Sequence, residues 1–147
     1  MEISLYSDYS FRVLMYLALV EDDLSQIRTI SEAYQISENH LIKVVQHLVK
    51  LGYVASVRGR SGGIRLAKEA IEINLGHVFR QTEPSLKLLP CFEGEDSTCP
   101  VTSVCRLQGV FHRALFAFLK ELDGLTLADL MQDPVPIKSL IQLETVT

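Results

Sequence analysis

Cys91, Cys99 and Cys105 are the only cysteines of a 147-residue chain, and they fall within a single short stretch. An odd number of thiols cannot all pair with one another, so a disulfide framework is a poor account of them. Pro90, Gly94 and Pro100 interrupt any helical or strand period between Leu88 and Thr102. The stretch therefore reads as a loop, where thiolates are accessible, rather than as core, where a cysteine is a small hydrophobe. Zinc sites usually show paired Cys-x2-Cys spacings, which are absent here, whereas iron-sulfur clusters accept wider spacings because the cluster itself has size. The residue types leave a soft metal site or a redox sensor open, with a fourth ligand position unfilled. His40, His47, His77 and His112 all lie outside the loop, and no nucleophile, base and orienting group share a catalytic spacing. The chain is read as no enzyme.

The elements that must position these thiols come first from charge. The net charge of -4 hides a segregation: residues 1–35 carry -4, residues 36–68 carry +5, residues 69–105 carry -4 and the remainder -1. Lys43, Lys50, Arg58, Arg60, Arg65 and Lys68 make the one electropositive segment, with Glu38 its only acid. A local basic block in an acidic chain suits a polyanionic partner. Glu2 and Asp8 stand where an export signal would carry Lys or Arg, and Val13 to Val20 is too short to span a bilayer. The expected location is the cytoplasm, where thiols stay reduced, with no membrane partner.

Phe11, Leu14, Met15, Ala18 and Leu19 recur at helical steps and predict a first helix over about 7–20. Thr29 followed by Glu32 predicts a capping box opening a short second helix that stops near Gln35. Ser37 can cap a third helix carrying Leu41, Val44, Val45, Leu48 and Leu51 inward, and Gly52 can end it in the left-handed region. Tyr53 to Val57 and Ile64 to Leu66 alternate as paired strands around the basic, glycine-rich tip Arg58-Gly59-Arg60-Ser61-Gly62-Gly63, where Gly59, Gly62 or Gly63 can take positive φ. Asn74 caps a fourth helix that Pro84 ends. A long helix over about 103–122 then carries Leu107, Val110, Phe111, Ala114, Leu115, Phe118, Leu119 and Leu122, an apolar stripe wide enough to ask for a second copy of the chain. Thr126 with Asp129 starts one more short turn, and the last dozen residues, with Pro134 and Pro136, read as a tail.

Short helix, turn, capped helix and basic hairpin, in that order, outline a winged helix-turn-helix. The fold class expected is mainly α, with a two-stranded β wing and a long C-terminal dimerisation helix. In such a motif the second helix enters the major groove of double-stranded DNA and the hairpin reaches the backbone or minor groove. Thr29, Ser37, Glu38, Asn39, His40 and Lys43 are the candidate readers or phosphate contacts, and Arg58, Arg60, Ser61, Gly62 and Gly63 the wing contacts. The alternative is an ordinary helical hairpin with a solvated basic face. The coincidence of the basic block with these elements favours DNA.

Ser7-Asp8-Tyr9, the run Ile36-Ser37-Glu38-Asn39-His40-Leu41 through Gly52-Tyr53-Val54, the wing Val57 to Leu66, and the junction Cys99-x5-Cys105-Arg106-Leu107 together resemble the iron-sulfur winged-helix transcriptional regulators that include NsrR and IscR. The likeness runs to about Leu130. It implies a homodimeric repressor that binds operator DNA, with Cys91, Cys99 and Cys105 as cluster ligands. In IscR-like members a histidine three residues after the last cysteine completes a 2Fe-2S site; Gln108 holds that position here. The NsrR-like branch takes an aspartate from the other subunit, and Asp8 occupies the matching place; Leu122 to Leu130 also looks NsrR-like. The resemblance thus implies a 4Fe-4S cluster and nitric oxide as the signal, ahead of an IscR-like or iron- or redox-responsive regulator, and ahead of a metal or redox protein that does not bind DNA. The implied organisation is residues 1–82 for DNA binding (helix-turn-helix about 28–51, wing 53–66), 83–102 for the cluster loop and 103–147 for the dimerisation helix and tail, within one family-type domain of about 1–130. The spacing Cys91-x7-Cys99 is longer than usual in these proteins and encloses Glu93, Glu95 and Asp96. A longer loop adds little closure entropy, so cluster binding is expected to survive it.

Overall fold

Helix α1 (Leu5–Leu19) begins at Ser4, whose hydroxyl accepts from the Ser7 N–H. The computed structural model describes residues 2–21, 23–93 and 99–141. The expected stripe of α1 is only partly right. Val13, Tyr16 and Leu17 join Leu14 and Leu19 in the interior, while Phe11, Met15 and Ala18 are half-buried. The reason is that α1 is the central element, packed by α2 (Ile27–Tyr34), α3 (Glu38–Lys50), the wing and a later 3-10 turn at Leu127–Met131. A helix covered on several sides has no single inward stripe.

The Thr29–Glu32 capping box does not form. Thr29 lies inside the first turn of α2, Gln26 is the N-cap without a side-chain cap bond, and Glu32 pairs instead with Arg28 at 2.8 Å. The entrance to α2 is set from a distance. Ser25 and Ile64 exchange two backbone hydrogen bonds of 2.9 Å each, and the Gln26 amide donates to the Gly62 carbonyl. At the other end Gln35 takes φ 54°, with Ile36 N–H reaching back to the Ser31 carbonyl at 3.0 Å and Gln35 N–H to Glu32. This is the 6→1 and 5→2 pattern of a Schellman ending, built on a residue with a side chain. Helix α3 follows from Ser37, which holds the N-cap position without a side-chain bond. It closes as expected at Gly52 (φ 76°), with Tyr53 N–H on the Leu48 carbonyl and Gly52 N–H on that of Val49.

Strands β1 (Val54–Val57) and β2 (Gly63–Leu66) pair antiparallel in the register Val54 to Leu66 and Val57 to Gly63. Asn74 caps α4 (Leu75–Thr82) through the His77 N–H, and α5 (Arg106–Asp123) starts later than the periodicity implied, after a 3-10 turn at Thr102–Val104. Thr126 and Asp129 start the expected short element, a 3-10 turn, with a capping box. It delivers Leu127, fully buried, to a core shared with Leu14, Leu17, Ile30, Leu41, Leu48 and Ile73. The expected tail contains a helix, α6 (Pro134–Leu140). Both prolines fall in its first turn, where the N–H groups they lack would have no intrahelical partner. The architecture is the expected mainly helical winged helix-turn-helix. Among the described residues no helix is long and apolar enough to cross a membrane.

Candidate nucleic-acid interface and thiol site

Ser37, Glu38, Asn39, His40 and Lys43 are all exposed along the start of α3, and Thr29 is exposed on α2. At the wing tip Arg58, Gly59, Arg60 and Ser61 are exposed, and Gly59 alone of the three tip glycines has positive φ, at 117°. Gly62 is buried: a Cβ there would lie 2.2 Å from the Val57 carbonyl oxygen, and one on Gly63 would lie 2.8 Å from that of Ser25. Gly62 lets the hairpin tip close on itself and Gly63 presses the wing onto the entrance of α2, so Arg58, Arg60 and Ser61 are the tip residues that hold side chains to solvent. Ion pairs among the described residues join Arg12 to Asp8, Arg28 to Glu32 and Arg80 to Asp123, and leave Lys43, Arg58 and Arg60 available for phosphates.

The first turn of α1 lies against this reading surface. The Tyr9 ring stacks over His40 at 6.4 Å, the Tyr6 ring meets His47 at 5.6 Å, and the Tyr6 hydroxyl donates to the Lys43 carbonyl at 3.4 Å. Asp8, which lies between those tyrosines in sequence, accepts a hydrogen bond from Arg12 Nε at 3.1 Å and pairs with its Nη2 at 2.9 Å. The Arg12 guanidinium in turn sits 5.8 Å from the centre of the Tyr34 ring, at the end of α2. Burial pushes the Tyr34 hydroxyl pKa up. On its other flank the turn is tied to α4: one oxygen of Glu83 accepts from Ser4 N–H (3.1 Å), Ser4 Oγ (2.9 Å) and Ser7 Oγ (2.8 Å). An anion suits a helix N-terminus, and this one belongs to the residue that begins the cysteine loop.

Cys91 lies in a 3-10 turn (Pro90–Glu93) and is half-buried; Cys105 is the half-buried N-cap of α5; Cys99 is exposed. The Cys99 carbonyl accepts from Thr102 Oγ1 at 2.8 Å, and the Cys91 carbonyl from Gln108 Nε2 at 2.7 Å. The Phe92 ring stacks on His112 at 4.1 Å and 14°. Glu95, Asp96 and the side chain of Glu93 lie outside the described residues. Among the described residues no three His, Cys, Asp or Glu side chains gather closely enough to hold a metal ion. What the structure does bring together is Cys105, the N-cap of the 18-residue α5, and the main chain at Cys91, held by Gln108 of the same helix. Thiolates are the ligands that iron-sulfur clusters take. By donor chemistry the three cysteines fit such a group. Sequence reasoning missed Tyr6, Tyr9, Glu83 and the Gln108 clamp; a tyrosine on each side of Asp8 was the one visible signal.

Helix α5 contains no fully buried residue. Phe111, Leu115, Leu119 and Leu122 turn toward the protein, and Phe118 meets Phe79 of α4 edge-on at 5.3 Å. Leu107 (56 % exposed), Val110 (49 %), Ala114 and Phe118 leave an apolar strip open beside a groove of about 590 Å³ lined by Ile3, Phe79, Leu86, Leu88, Phe111 and Leu115. One protomer covers half of the stripe and leaves the rest to water.

Residues 3–133 match the Rrf2 family, described as iron-dependent transcriptional regulator. A protein of Shouchella clausii named HTH-type transcriptional regulator NsrR is 46 % identical over 99 % of this chain and 98 % of its own length. The Geobacillus kaustophilus protein of the same name is 48 % identical over 97 % of each. Among solved structures, CymR of B. subtilis, called its global cysteine regulator, superposes with a TM-score of 0.70 at 27 % identity, covering 88 % of this chain and 95 % of that one. T. potens IscR gives a TM-score of 0.70 at 29 % identity, covering 90 % and 88 %.

Proposed function

Because the chain belongs to the Rrf2 family of iron-dependent transcriptional regulators, we propose that it is a nitric-oxide-responsive repressor that binds operator DNA as a homodimer and leaves it when its iron-sulfur cluster is nitrosylated. The observation that carries the reading is the first turn of α1. Tyr6 and Tyr9, which flank Asp8 in sequence, rest on His47 and His40 of the recognition helix. Any ligand held by that turn is mechanically continuous with the helix that reads DNA. The near full-length relatives named NsrR support the same assignment.

Cys91, Cys99 and Cys105 would hold the cluster, of the 4Fe-4S type, and Asp8 of the partner subunit would complete it. When bound, the cluster supplies iron to which nitric oxide can attach. The protein's own residues do the rest. The Asp8–Arg12 pair is half-exposed, 41 % and 38 % at the two side chains, and such a pair is worth under about 1 kcal/mol, so the carboxylate can leave Arg12 for a stronger ligand. The strip on α5 receives the second copy, which brings each first turn to the other protomer's cysteine loop. Were Asp8 released from the partner's site, the first turn would be free to move, and Tyr6 and Tyr9, which contact His47 and His40, would carry that movement to α3. Two recognition helices must stay about one helical repeat of DNA apart, so a small shift removes specific affinity.

An iron-responsive regulator without nitric-oxide sensing is the second reading, favoured by the likeness to an IscR structure. Anaerobic purification with an absorption spectrum, followed by an operator mobility shift with and without nitric oxide, separates the two. The expected result is a 4Fe-4S spectrum and a complex that dissociates on nitric oxide. A complex that ignores nitric oxide but follows iron supply selects the second reading, and a protein that takes up no cluster refutes both. Asp8→Ala is expected to assemble a cluster that is lost faster; an unchanged loss rate and nitric-oxide response would remove Asp8 from the site.

A further inference from the structure

Gln108 occupies the position at which a histidine would complete the centre in the IscR-like branch, and here its amide is engaged elsewhere. We propose that Gln108 and His112 form a two-rung latch that holds the Cys91–Phe92 dipeptide on α5. The proposal rests on the reading of Cys91 as a cluster ligand. Its rungs are the 2.7 Å hydrogen bond from Gln108 Nε2 to the Cys91 carbonyl and the parallel stack of Phe92 on His112, 4.1 Å apart. Cys105, Gln108 and His112 are spaced three and four residues apart along one helix, so they share a face. The residue that begins this row, Cys105, is itself a thiol and the N-cap of α5.

The two rungs divide the work. Gln108 grips main chain, so it fixes the path of the loop at Cys91 and leaves the thiol to choose its rotamer. The Phe92 stack lies one residue further on and one turn along α5, which prevents the loop from pivoting about a single bond. Neither contact is needed to hold α5 in place, since Phe111, Leu115 and Phe118 already pack it toward α4. Gln108 is a neutral amide with its donor committed to a carbonyl, so it positions a ligand without competing as one. Cys91 and Cys105 are thereby both attached to the start of α5. Gln108 and His112 are positioning residues, acting through Cys91.

The test uses full-length, reduced, metal-free protein and compares alkylation rates of each cysteine by iodoacetamide and mass spectrometry in the parent, Gln108→Ala and Phe92→Leu. Each variant removes one rung, and helix content by circular dichroism reports whether α5 persists. Loss of a rung is expected to raise the Cys91 rate by about five-fold, the population ratio that one solvent-competing hydrogen bond sustains, with Cys99 and Cys105 unchanged. A second readout, on reconstituted protein, is faster bleaching of cluster absorbance by a chelator in both variants. An unchanged Cys91 rate overturns the latch, and so does an equal rise at all three cysteines, which would mean that the whole helix has loosened. Should Cys91 alone be unmasked in a protein that takes up no cluster, the latch stands and the proposed function falls.

Discussion

Arg60→Ala probes the wing with a magnitude that the structure sets in advance. Arg60 is exposed at the hairpin tip and makes no ion pair among the described residues, so its removal costs the fold little. If each Arg60 neutralises one phosphate, a dimer loses two contacts. For B-DNA the logarithm of affinity falls with the logarithm of salt by about 0.9 per neutralised phosphate, so the slope should shrink by about 1.8. Between roughly 50 and 200 mM salt the variant's affinity should therefore decline about twelve-fold less than the parent's. Fluorescence anisotropy on a labelled operator over that range measures both slopes, and a scrambled duplex should show the same change, because phosphate contacts carry no sequence information. An unaltered slope would refute the wing contact. A change confined to the operator would place Arg60 on a base edge instead.

Val110→Asp, in the middle of the open strip on α5, should weaken self-association by at least about 100-fold, the loss expected for a central interface position; light scattering that still reports a dimer at micromolar concentration would move the interface elsewhere. Gln35→Gly relieves a left-handed side-chain residue, so unfolding free energy should rise by about 0.5–1 kcal/mol in urea titration, the difference between the αL penalty and glycine's entropy cost; a lower midpoint would contradict the strain.

The parts of the fold that were legible in the sequence are those decided locally. Gly52 announces the end of α3 because only a left-handed residue completes that Schellman ending, and the wing strands are set off by a basic tip with three glycines. The parts that were illegible are decided across the chain. Thr29 and Glu32 have the right spacing for a capping box, but the Ser25–Ile64 pairing and the Gln26–Gly62 bond fix where α2 starts. The tail prolines signal an ending and equally suit a first helical turn. At the candidate site the cysteines stood out by residue type and Asp8 through the family resemblance, whereas Glu83 meets Ser4 over 79 positions of sequence and Gln108 meets Cys91 over 17. Side chains that act on main chain or on serines leave no periodic trace, and no composition argument singles them out.

The backbone ladder between Ser25 and Ile64 also limits how operator preference can be moved between related proteins. The wing is braced to the entrance of α2, with Gly63 leaving no space for a Cβ against Ser25, and α3 packs against both elements. Grafting α3 alone into another regulator would present its side chains on a brace cut for a different helix. If these elements read DNA as proposed, the unit to exchange is residues 25–66 as one cassette.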